Sequence, residues 1–112
     1  MAPGAAPTVI YLDVDDTLVR PAGEQRVPVP GMVMRVRELA QKGGELYLWS
    51  RQGAEYARQT ARELDIEDCF RAFLPKPQVL IDPQALEDWN VSEIHPAACA
   101  SMRLEDILRR RR

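Results

Sequence analysis

Thr8-Val9-Ile10-Tyr11-Leu12-Asp13-Val14-Asp15-Asp16-Thr17-Leu18 decides how this chain is read. Its first half is continuously apolar, as expected of a central strand in a parallel sheet with both faces covered. Its second half crowds Asp13, Asp15 and Asp16 together. Like charges a few Å apart destabilise one another unless a cation, a shared proton or a basic side chain sits among them. Parallel α/β sheets hold their ligands just beyond the carboxyl ends of the strands, which is where this cluster falls. The segment therefore predicts a strand delivering Asp13 and Asp15 to a metal-assisted site. The plainer reading is a turn in which Asp and Thr bond local amides. The abrupt change from apolar to acidic at Asp13 favours the site.

Outward from that strand, Arg20 to Gly31 carries Pro21, Gly23, Pro28 and Pro30, too many breakers for a helix, and predicts a loop or small extended flap. From Met32 the period becomes helical: Val33, Val36, Leu39 and Ala40 share one face, with Arg35, Arg37 and Glu38 facing water. Gly43-Gly44 supplies the stop. Glu45 to Trp49 predicts a second strand ending at Ser50, and a helix follows from about Gly53 to Leu64. A short third strand, Ala72 to Leu74, precedes Pro75-Lys76-Pro77. Gln78 to Ile81 is a fourth apolar run ending at Asp82, and Val91 to Ile94 a fifth. A last amphipathic turn or two covers Met102 to Leu108.

Strands alternating with helices at this spacing predict a single three-layer α/β domain, Rossmann-like, with a mostly parallel central sheet and helices on both faces. Right-handed crossovers would bring the strand ends to one rim. Asp13 and Asp15, Ser50 and Asp82 would stand at those ends, with Lys76 in the loop before the last.

The 112 residues suit one domain over 8–108, preceded by a lead-in at 1–7 and followed by a basic tail, Arg109 to Arg112. A net charge of −2 argues against general nucleic-acid binding. Cys69 and Cys99 lack metal-ligand spacing and predict a reduced, cytoplasmic chain. No apolar run is long enough to span a membrane, and the first residues lack the features of a signal peptide. The basic residues are skewed to arginine, Lys42 and Lys76 being the only lysines.

The order of these features resembles the haloacid dehalogenase superfamily, in its small capless form. Asp13-Val14-Asp15-Asp16-Thr17-Leu18 matches its first motif, Ser50 the second, Lys76 the third and Asp82 the acidic strand end of the fourth. The resemblance runs from about Thr8 to Ile107. It implies a magnesium-dependent phosphatase. Asp13 would be the nucleophile, forming an aspartyl-phosphate, and Asp15 the acid and base. Ser50 and Lys76 would hold phosphoryl oxygens. Mg2+ would be held by Asp13, by Asp15 through its main chain, and by Asp82. Thr17 would shape the turn. The pattern departs at Pro83, where a second acid is usual.

The spans between motifs leave no room for a cap domain, so the expected site is open and suits a phosphorylated small molecule or macromolecule, or completion by another subunit. A homo-oligomer is thus among the expected assemblies, whereas nucleic acid and membrane are not expected partners. Two other functions compete. Pro83 favours a catalytically weakened relative that binds a phosphorylated ligand or partner without turnover. A receiver-like signalling domain has similar length and residues, but its acceptor Asp follows the third strand, where this chain has Leu74-Pro75. Ser50 also has an ordinary reading as a turn former or helix cap, and Lys76 as a solvated loop residue.

Overall fold

The computed structural model describes residues 6–109. Residues 1–5 of the lead-in and 110–112 of the basic tail lie outside the described residues. A three-stranded parallel sheet is built from β1 (Val9–Asp13), β4 (Glu45–Ser50) and β5 (Phe70–Pro75), in the order β1-β4-β5. Between β1 and β4 lie an antiparallel hairpin, β2 (Val19–Ala22) with β3 (Gln25–Pro28), and helix α1 (Met32–Gln41). Helix α2 (Ala54–Glu63) connects β4 to β5. The chain ends in two short helices, α3 (Pro96–Cys99) and α4 (Leu104–Leu108).

The flap read from the prolines at 20–30 is thus a two-stranded hairpin. α1 stops where Gly43 adopts φ +93°, a left-handed conformation that glycine takes without steric cost. Gly44 matters for a different reason. A Cβ there would lie 3.0 Å from the Leu39 carbonyl oxygen and 3.0 Å from Leu46 Cδ1, so the turn into β4 has no room for a side chain.

The core lies on one face of the sheet. Leu12, Leu46, Leu48, Val36, Leu39, Ala57, Ala61 and Ile66 are buried there, and Ile107 closes it from α4. The expectation of helices on both faces does not hold. β1, β4 and β5 are laid down in one direction, and right-handed crossovers then place both helices on the same side. The other face carries Tyr11 stacked on Tyr47 at 5.0 Å, with Trp49 edge-on to Tyr11 at 4.9 Å. Tyr11 stays 46% exposed.

The fourth and fifth strands are also corrected. Residues 78–82 and 91–94 form no strand. Only Lys76 and Pro77 separate β5 from Gln78, a reach of about 10 Å at full extension, whereas a parallel return strand takes a crossover of a dozen or more residues. Val79 and Ile81 consequently stand in solvent. Arg35 is corrected as well. Instead of facing water it is buried, and its Nη2 donates to the carbonyls of Ala100 (3.1 Å) and Met102 (2.6 Å), tying the C-terminal helices to α1. His95, given no role by sequence, caps α3: its Nδ1 accepts from the Ala97 amide at 3.1 Å.

Candidate active site

The acidic turn is wound around one carbonyl. Val14 O accepts from the amides of Thr17, Leu18 and Val19 at 3.3, 2.9 and 3.2 Å. Val14 and Leu18 are fully buried, which pins the turn to the core while the acids between them point out. Asp16 takes φ +62°, a conformation Asp tolerates better than most residues.

Two groups of side chains meet at this rim. On the open face, Asp13 follows Val9 and Tyr11 by strand alternation. Lys76, just past the end of β5, places Nζ 3.4 Å from Asp13 Oδ1 and 5.8 Å from the centre of the Trp49 ring. Both side chains of the pair are about one-third exposed, so the rim remains accessible. On the helix side, Asp15 accepts from Gln52 Nε2 at 3.0 Å and from the Tyr56 hydroxyl at 2.7 Å, one donor on each oxygen.

Ser50 stands between the two groups. Its carbonyl accepts the Lys76 amide at 2.9 Å, locking the lysine loop onto β4. Its buried Oγ accepts from the Gln52 amide at 3.0 Å, a turn-forming bond that leaves the hydroxyl hydrogen available to donate. Asp13, Asp15, Ser50 and Lys76 are therefore collected at one edge.

Asp82 is not among them. It lies in the exposed segment after Pro77, and its Oδ1 accepts the Gln84 amide at 2.8 Å. Among the described residues no group of three or more acids, histidines or cysteines is gathered to hold a metal. One copy of the chain thus does not gather the expected magnesium set: Asp13 is paired with Lys76, and Asp82 stands apart from Asp13 and the Asp15 main chain.

Three residues at the site were not singled out from sequence: Gln52, Tyr56 and Arg26. Arg26, on β3, donates to Thr60 Oγ1 at 2.7 Å and pairs with Glu63 at 2.5 Å, while its guanidinium lies 5.0 Å from the Tyr56 ring centre. The hairpin is thereby fastened to α2 beside the acid. Burial, and then donation to Asp15, raise the Tyr56 phenol above its ordinary value, so it remains a donor. The available signal was a tyrosine beside Ala57 on the inner face of the helix that follows Ser50. The two free cysteines are held above the usual thiol range, chiefly by burial, and suit packing better than nucleophilic attack.

No protein-family model matches the chain, and no curated protein or solved structure matches it either. Among the described residues no helix is long and apolar enough to cross a membrane.

Proposed function

We propose that the chain is a phosphohydrolase of the haloacid dehalogenase type, acting through an aspartyl-phosphate on Asp13. The observation that carries this reading is the Lys76 ammonium 3.4 Å from the Asp13 carboxylate, at the rim shared with Asp15 and Ser50. An anionic nucleophile approaching an anionic ester needs a fixed positive charge: two unit charges 4 Å apart interact by about 4 kcal/mol at an effective dielectric near 20.

In this reading Asp13 attacks phosphorus, the ester P–O bond breaks, and the leaving oxygen takes its proton from Asp15. Water then attacks the phosphoryl group on Asp13 and gives its proton to Asp15, releasing phosphate and restoring both carboxyls. Tyr56 and Gln52 hold Asp15 towards the rim during these transfers. Lys76 and the Ser50 hydroxyl offset the charge growing on the phosphoryl oxygens. No step runs through a metal, because one copy presents an incomplete set of ligands.

Hydrolysis of a chromogenic phosphate ester tests the proposal. Slow turnover that vanishes in Asp13→Asn is the expected result, and turnover that survives this substitution overturns it. The displaced Asp82 favours a second reading, a phosphate-binding protein without turnover. Saturable phosphate binding, lost in Lys76→Met and accompanied by no hydrolysis, would decide for it.

A further inference from the structure

We infer that two copies of this chain exchange the segment Gln78–Asp82, each adding it as a fourth parallel strand to the free edge of the other's β1. Among the described residues β1 pairs with β4 alone, and no strand lies along its other side. An unpaired strand edge is a ready template for another strand. The same chain carries an unused strand. Val79, Leu80 and Ile81 are 76%, 48% and 95% exposed, an apolar run that water solvates poorly.

The two pieces match. β1 reads Val-Ile-Tyr-Leu-Asp and residues 78–82 read Gln-Val-Leu-Ile-Asp, equal in length and each ending in an acid. Parallel pairing with the acids level puts Val79 and Ile81 beside Ile10 and Leu12, on the apolar face, and Leu80 beside Tyr11. Antiparallel pairing would instead lay Asp82 against the apolar start of β1.

The occupant must be another copy. The donor strand begins two residues after β5, at the far edge of the sheet and at its carboxyl end, and those two residues cannot return it to the start of its own β1. Pro75 and Pro77 stiffen the exit and aim the segment outward. A reciprocal exchange closes with two-fold symmetry.

At on the order of 100 Å² per aliphatic side chain and about 200 Å² per tyrosine, the exposed parts of Val9, Tyr11, Val79, Leu80 and Ile81 come to roughly 350 Å² per exchanged strand and about 700 Å² for the pair. With the polar share of an ordinary interface added, full burial of these parts would reach about 1,200 Å², the lower end for stable complexes.

The exchange also supplies the missing acid. Asp82 of one copy would stand level with Asp13 of the other, so each site would draw on both chains. This part rests on the phosphohydrolase reading; the strand pairing does not.

Sedimentation of the full chain across micromolar concentrations is expected to show a dimer, and Ile81→Asp a monomer that still unfolds in one cooperative transition, at a lower temperature than the dimer. Mixing Tyr11→Cys chains with Leu80→Cys chains is expected to give a disulfide between the two substituted positions, identified by peptide mass. A monomeric wild type, or a dimer indifferent to Ile81→Asp that yields no such disulfide, overturns the exchange. Asp13→Asn is inactive and Asp82→Asn is expected to lower turnover. Mixing the two in equal amounts is expected to add up to about one quarter of wild-type turnover to that of Asp82→Asn alone, because half of the dimers are mixed and each holds one intact site. Absence of that gain, with wild-type turnover present, overturns the shared site. A dimer that cross-links while no chain hydrolyses phosphate leaves the exchange standing and removes the phosphohydrolase reading.

Discussion

The Tyr56 hydroxyl donates a 2.7 Å hydrogen bond to Asp15 Oδ1, joining the first turn of α2 to the acidic turn after β1. Together with Gln52 on the other oxygen, it fixes the direction of a carboxyl group that would otherwise rotate at an exposed rim. Tyr56→Phe keeps the ring over which Arg26 lies and removes the hydroxyl, with its bond to Asp15 and its contact with the Arg26 guanidinium. Turnover is expected to fall about tenfold with KM little changed, since a misdirected proton donor acts on the chemical step. Steady-state kinetics beside a melting curve measure this, and an unchanged kcat would remove Tyr56 from the account.

The same tyrosine makes folding sensitive to alkaline pH. Burial and the bond to Asp15 raise its folded pKa above the ordinary tyrosine value. The fold therefore favours the neutral phenol. Its contribution to stability is fully present below about pH 10 and is lost as pH rises through the higher folded value. Absorbance titration of the wild type against Tyr56→Phe is expected to show one phenol ionising late. Loss of a tyrosine with ordinary titration would contradict this.

Arg26 fastens the hairpin to α2 through Thr60, Glu63 and the Tyr56 ring. The pair with Glu63 is exposed and the bond to Thr60 partly buried, so Arg26→Met should cost about 1 kcal/mol of global stability. Its larger effect is expected locally, as faster hydrogen exchange across residues 19–28. Protection there equal to that of the wild type would show that the hairpin is held by other means.

Arg35 is a buried cation whose Nη2 serves two carbonyls, Ala100 and Met102. Its Nε is the one buried side-chain polar atom without a partner among the described residues. Arg35→Met removes charge-assisted bonds and leaves two carbonyls unsatisfied, so a loss of about 2–3 kcal/mol is expected in urea unfolding. Exchange should rise first in residues 96–108. A loss below about 0.5 kcal/mol would mean the C-terminal helices are held mainly by Cys99 and Ile107 packing.

Local signals accounted for the elements whose causes are local. The run from Val9 to Asp13 announced a strand by its apolar content and its end by the acids. α1 and α2 were legible from a 3.6-residue period and from Gly43 and Gly53 at their boundaries. Arg35 was misread because periodicity places a residue on a helix face without saying what later packs there. The C-terminal carbonyls that bury it arrive from 65 and 67 residues away. Gln78 to Ile81 was misread for a similar reason. Its composition is that of a strand, but pairing depends on where the chain can reach.

By itself the sequence determined the parallel strands, the helices between them and the chemical types at the strand ends, because apolar period, turn residues and charge crowding act within a few neighbours. Only the tertiary structure decided that Lys76 meets Asp13, that Tyr56 and Gln52 hold Asp15, and that Asp82 stands apart from all of them. Those outcomes follow from the order of the strands and from the length of the connection at Lys76–Pro77, which set distances that residue type and spacing do not encode.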